Sequence, residues 1–254
     1  MNVRLLSYSQ PTQEFATQGI GDAQELIAYC ARVSNPSNQF NTDTSEKLIR
    51  YLVRHQHWSP LEMVSACLEI TTTRDIARQI LRHRSFSFQE FSQRYADPTK
   101  DLEFVLREAR LQDTTNRQNS IELVQDNPEA RNLAMGWERA QQRVKMAAIE
   151  AYDWAIKNGI AKEQARAVLP EGLIQSRLYM AGTLRSWIHF IQLRSANGTQ
   201  LEHQQVAVAC AQAIAAIFPM VTDLVAKTLS ICYTSVWPSI FPNNPIYLSL
   251  AKSK

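Results

Sequence analysis

Residues 82–95 read RHRSFSFQEFSQRY. Arg82, His83, Arg84, Glu90 and Arg94 bring both signs of charge into this one short window, and Ser85, Ser87, Ser92, Gln89 and Gln93 add hydroxyl and amide groups. Phe86, Phe88, Phe91 and Tyr95 are interleaved as anchors. An arginine fork donates two parallel hydrogen bonds, which suits phosphate and carboxylate. The segment therefore suits a planar, anionic, hydrogen-bonding ligand, or a nucleic acid. On these residues alone both remain open.

Working outward, MVSACLEITTT alternates and is rich in β-branched residues, so a strand is expected there. RDIARQILRH returns to helical spacing and places Arg74, Arg78 and Arg82 along one face. The quoted stretch begins at the end of that helix and is expected to run out as a loop. Upstream, VRLLSY reads as a first strand, Asp22 caps a helix through AQELIAYCARVS, and a second helix covers EKLIRYLVRH. Downstream, residues 97–127 read as a polar surface excursion. A long helix follows over 129–157, stopped at Asn158-Gly159. KEQARAVL, LRSWIHFIQLR, TQLEHQQVAVACAQAIAAIF and MVTDLVAKTLSICY are further helices, and the proline-rich tail VWPSIFPNNPIYL is irregular. The expectation is an α+β protein, helix-rich with a small antiparallel or mixed sheet, forming a single domain over 1–254.

The net charge of +3 is modest for a polyanion binder, yet 19 of the 27 basic residues are Arg. With seven glycines the chain has no P-loop and no G-x-G-x-x-G, so phosphate recognition would fall to side chains. Cys30, Cys67, Cys210 and Cys232 are scattered, which suggests buried free thiols in a reducing compartment. No metal-ligand cluster and no membrane span is read, and MNVRLLSYSQ is too short and polar for a secretory signal. A cytoplasmic protein is expected.

Three further segments carry candidate chemistry. His57-Trp58-Ser59-Pro60-Leu61-Glu62 could present a hydroxyl and a carboxylate from an extended turn. Arg166 stands in QARAVLP. In Thr183-Leu184-Arg185-Ser186-Trp187-Ile188-His189, Arg185 and His189 share a helix face, while Arg194 falls five residues later and points elsewhere. None of the cysteines sits beside His or a cluster of Arg, and Ser92 has no obvious base, so a reaction here would lean on a cofactor.

Taken together these segments resemble the flavin-dependent thymidylate synthase (ThyX) family. Its signature runs R-H-R, two variable residues, Ser, one variable residue, usually Asn, then Glu, and on to S-x-R-Y, and the stretch at 82–95 matches it at almost every fixed position. HWSPLE, QARAVLP and LRSWIHFIQLR are similar to its other binding segments, so the likeness covers most of the chain. The resemblance implies the family's fold and an enzyme that makes dTMP from dUMP. The methylene group would come from methylenetetrahydrofolate and the reducing equivalents from NADPH through FAD, with no enzyme nucleophile. By position it implies FAD contacts from Ser59, Arg82, His83, Arg84, Glu90, Thr183, Leu184, Arg185 and His189. It implies dUMP contacts from Gln79, Arg82, Glu90, Phe91, Ser92, Gln93, Arg94, Arg166 and Arg194, with Arg194 the catalytic residue that polarises the uracil ring. It also implies a homotetramer with active sites shared between subunits, and neither nucleic acid nor membrane as partner.

Three positions depart from the family pattern. Gln89 replaces the usual Asn, adding a methylene where the cofactor packs. Gly198 stands where many members carry His, so one flavin contact is missing or is supplied by His203 or the backbone. Thr183 lies near a position commonly held by Asn. Two alternatives remain. One is a flavin enzyme that delivers a hydroxymethyl group to dUMP. The other is a nucleic-acid-binding module in which arginines grip phosphates and aromatics stack bases.

Overall fold

The structure, a computed structural model, describes residues 1–225. In chain order the elements are β1 (Asn2–Tyr8), α1 (Gln13–Thr17), α2 (Ala23–Ala31), α3 (Ser45–Arg54), β2 (Ser65–Thr73), α4 (Arg74–Ile80), β3 (Ser87–Glu90) and α5 (Pro98–Asp101). They continue with β4 (Arg110–Gln112), β5 (Ser120–Glu122), α6 (Pro128–Lys157), α7 (Lys162–Ala165), β6 (Gln175–Thr183), α8 (Leu184–Arg194) and α9 (Leu201–Ala215). Residues 221–225 are helical, as expected for the start of MVTDLVAKTLSICY. The rest of that segment, Cys232 and the proline-rich tail lie outside the described residues.

Helix starts follow the expected capping chemistry. The Asp22 carboxylate accepts the Glu25 N–H at 2.8 Å, and Asn127 accepts the Ala130 N–H at 2.8 Å ahead of Pro128. Helix ends follow a common device. Gly159 sits at φ +76 after α6, and Ile160 N–H reaches back to Ala155 O at 2.9 Å. Gln56 does the same after α3 at φ +59, with His57 N–H on Leu52 O at 2.8 Å. This bend sets the direction of the HWSPLE segment, whose Ser59–Glu62 forms a 3-10 turn.

A four-stranded sheet runs in the order β1-β2-β6-β3, and β4 and β5 form a separate antiparallel hairpin with Arg110 opposite Glu122. This is the expected helix-rich chain with a small antiparallel sheet. Three local expectations need correction. The signature is not all loop, because its SFQE portion is β3, with Ser87 and Gln89 exposed and Phe88 and Glu90 half-buried. Strand β6 was not anticipated; its polar start, Gln175-Ser176-Arg177, hides the alternation. Helix α4 ends at Ile80, so Arg74 and Arg78 share a face but Arg82 lies beyond it.

Two compact units emerge, with boundaries inside β2, β3 and β6. The first holds Ile70–Arg82 and Gln89–Leu178. The second holds Asn2–Glu69, His83–Phe88 and the chain from Tyr179. In the first, Tyr152, Ala155, Ala165, Leu169 and Ile174 form a core with Phe104 and Ile156 against it. In the second, Ile27, Ile49, Leu61, Leu68, Trp187, Phe190 and Val206 are buried, each side chain of this size stabilising by about 1.5–3 kcal/mol. Among the described residues no helix is long and apolar enough to cross a membrane.

In each unit the end of a strand runs directly into a helix, and in each two of the first three helical amides are already taken. Arg74 N–H donates to Ile174 O at 2.9 Å and Asp75 N–H to Glu171 O at 3.1 Å. Leu184 N–H donates to Val64 O at 2.9 Å, and Ser186 N–H to the Thr183 hydroxyl at 3.3 Å. These are the amides a helix otherwise leaves open at its N-terminus.

Candidate active site

In the first unit, α4 and the end of β3 set out the acidic and basic groups. Arg74 Nε and Arg78 Nε meet Glu171 at 3.3 and 3.4 Å, which accounts for their shared face. Glu90 accepts a 2.6 Å hydrogen bond from Ser176, and Arg74 Nη1 lies 3.7 Å from the same oxygen. Phe91 N–H bonds Arg177 O at 2.8 Å, and then the chain turns about Ser92, whose hydroxyl accepts the Arg94 N–H at 3.3 Å. Gln93 is buried with its amide nitrogen unpaired, whereas Arg94 is exposed. Tyr95 is 79% exposed, so it is not the packing anchor its spacing implied.

The short helix α7 brings Arg166 to this turn. Arg94 Nη2 pairs with the Glu163 carboxylate at 3.1 Å, and Arg166 Nε donates to Glu163 O at 3.2 Å. Lys162 Nζ donates to Tyr95 O at 2.9 Å. Glu90, Phe91, Ser92, Gln93, Arg94 and Arg166 are thereby gathered, with Gln79 on α4 and Arg82 exposed just beyond it.

In the second unit, the HWSPLE turn and α8 meet. Glu62 forms an ion pair with Arg185, and the Trp58 ring stands edge-on to His189 at 4.4 Å. Burial, and then the Arg185 charge, lower the His189 pKa, so its imidazole is neutral near pH 7. Thr183 caps α8, while the Leu184 side chain is fully buried. Arg194 leaves the same helix toward other partners, as its spacing implied. Its Nε donates to His83 Nε2 at 2.8 Å, which requires that nitrogen to be unprotonated.

His83 stands edge-on to Phe190 at 4.9 Å and to the signature's Phe86 at 6.5 Å. Phe86 packs edge-on against Trp187 at 4.8 Å, and a Cβ on Gly182 would come within 2.4 Å of the Phe86 ring. Arg84 is exposed and makes no ion pair among the described residues.

Two of the departures have a plain local setting. Gln89 lies on the exposed face of β3, where an added methylene takes no core space. Gly198 has φ +88, a left-handed conformation that glycine adopts freely and histidine resists. His203 is fully buried, 6.4 Å from the His83 ring. Its pKa is pushed down to about 3, by burial first and then by the Arg194 guanidinium and the His83 imidazole beside it.

Among the described cysteines only Cys210 is fully buried, Cys30 and Cys67 being half-buried, and burial raises all three pKa values.

The family model for Thy1, the thymidylate synthase complementing protein, matches residues 17–220. A probable flavin-dependent thymidylate synthase of Paramecium bursaria Chlorella virus 1 is 44% identical over 87% of this chain and 97% of its own length. The chain belongs to the flavin-dependent thymidylate synthase family. A second member of the family, from Synechocystis, is 46% identical over 87% of this chain and 97% of its own length. Among solved structures, a UMP/dUMP methylase, PolB, from Streptomyces cacaoi bound with 5-Br dUMP superposes with a TM-score of 0.70. It is 25% identical, and the match covers 89% of this chain and 94% of that one. The chain is thus an enzyme of the thymidylate synthase class.

Proposed function

We propose that the chain converts dUMP to dTMP, taking the one-carbon unit from methylenetetrahydrofolate and the reducing equivalents from NADPH. Uracil C5 exchanges its hydrogen for a methyl group. A methylene carbon needs a hydride to become methyl, and NADPH supplies it, so the folate need not be oxidised. When bound, FAD supplies the redox step that carries this hydride. The donor set suits such a cofactor. Arg82 and Arg84 are exposed cations fit for a diphosphate, and Ser59, Thr183, Leu184, Arg185 and His189 gather around the start of α8 and the turn it meets. His83 and Glu90 complete the set. A neutral His189 can both donate to a flavin ring and accept from it.

Gln79, Arg82, Glu90, Phe91, Ser92, Gln93, Arg94 and Arg166 hold dUMP. Arg94 already pairs with a carboxylate, the charge type a phosphate presents. The observation that carries the reading is the His83–Arg194 hydrogen bond, which joins the signature to the arginine of the later segment. A guanidinium held there stabilises negative charge developing on the uracil imide and keeps its own proton at neutral pH. The whole chain works as one domain in a cytoplasmic homotetramer whose sites draw on several subunits.

The test is the absorbance of the purified protein, which should show oxidised flavin that bleaches with NADPH. Addition of dUMP and methylenetetrahydrofolate should then yield dTMP by mass. A colourless protein with salt-sensitive oligonucleotide binding would overturn the reading, and a hydroxymethylated nucleotide would redirect it. UMP in parallel decides whether the ribose form is also taken, as the name of the PolB methylase suggests for that enzyme. Arg194→Ala should lose dTMP formation while retaining flavin. Parental turnover in that variant would remove Arg194 from the catalytic role.

A further inference from the structure

Glu90 is held from the protein side by residues that belong to none of the recognised segments. Its Oε1 accepts the Ser176 hydroxyl at 2.6 Å, and Ser176 is wholly buried on β6. Arg74 Nη1 lies 3.7 Å from that same oxygen, too far for a hydrogen bond but close enough for attraction. Arg74 is 7% exposed, and this nitrogen is buried without a hydrogen-bond partner. The other acid near Arg74, Glu171, is shared with Arg78. Glu90 Oε2 accepts no hydrogen bond from the described residues and is not enclosed.

We infer that Ser176 and Arg74 are positioning residues that commit one carboxylate oxygen of Glu90 to the protein and leave the other as an acceptor for the nucleotide. The inference rests on the reading of Glu90 as a nucleotide ligand. A buried hydroxyl donating to a carboxylate makes a short, charge-assisted bond. Without it the carboxylate is free to turn toward Arg74 and withdraw Oε2. An ionised carboxylate accepts only, so the nucleotide atom it meets is a donor, a sugar hydroxyl or the imide N–H, and not the phosphate.

The experiment is calorimetric titration of dUMP into the FAD-loaded full chain. Ser176→Ala should raise the Kd about tenfold, the scale of one charge-assisted hydrogen bond. Ser176→Thr, which keeps the hydroxyl, should restore binding. In a Glu90→Ala background Ser176→Ala should add nothing, because the group it positions is gone. An equal loss in that background would overturn the inference. So would an unchanged Kd for Ser176→Ala alongside a weakened Glu90→Ala. If Glu90→Ala itself binds dUMP as the parent does, the ligand role of Glu90 fails first, and the inference with it. Should Ser176→Ala not fold, Ser176→Cys carries the same test with a weak donor of similar size: a tenfold rise supports the inference, and parental affinity overturns it.

Discussion

Gln56 is the sole non-glycine at positive φ among the described residues, and it stands where α1 and α6 use Gly19 and Gly159. A side chain in that conformation meets its own carbonyl, at a cost of about 1 kcal/mol that glycine avoids. Gln56→Gly should therefore stabilise the protein by about 0.5–1 kcal/mol, less than the full strain because glycine also loses more freedom on folding. Chemical denaturation would measure it, and an unchanged or lower midpoint would mean that the Gln side chain contributes contacts worth more than the strain. The sequence carried no mark of this bend, since HQH contains neither Gly nor Asn. Single residues elsewhere were legible. Asp22 was readable as a cap because a short carboxylate before an apolar helical run has one common use.

At the scale of elements, period separates what could be read from what could not. Helices α2, α3, α6, α8 and α9 carry long apolar repeats and were expected where they stand. Strand β3 is four residues long, and β6 opens with polar residues whose partners are distant in sequence. One of them, Ser176, is buried with its hydroxyl donating to Glu90. The candidate site was legible as residue types through its family signature, but not as pairs. The Glu62–Arg185, Trp58–His189 and His83–Arg194 contacts join segments more than a hundred residues apart. Phe86 against Gly182 is of the same kind, a match between the signature and the unanticipated strand. Gly182→Ala should push the Phe86 ring off Trp187 and cost about 1–3 kcal/mol by overpacking. It should also disturb His83 next door, so flavin retention should fall with stability. A variant as stable as the parent would show that the ring yields freely.

For the molecule as a whole, buried His203 couples folding to pH. Its folded pKa of about 3 lies below the ordinary 6.5, so the unfolded chain takes up a proton that the folded chain refuses. The contribution is complete above pH 6.5 and is lost as pH falls toward 3, at up to about 1.4 kcal/mol per pH unit. Between pH 7 and pH 5 the loss should be about 2 kcal/mol in urea unfolding, and His203→Gln should flatten that part of the profile. An equally steep profile in the variant would assign the effect to other groups. His189 is shifted in the same direction and adds in the same sense. The helix starts at Arg74 and Leu184 have a different kind of consequence. Because two of the first three amides in each are already spent on neighbouring carbonyls and a hydroxyl, the backbone at those points has less to offer an anion. On the proposed reading the grip on phosphate passes to arginines, and an arginine can be lost to a single codon change, whereas a backbone amide survives almost any substitution. On the proposed reading, inactivating mutations should therefore gather at individual arginine codons.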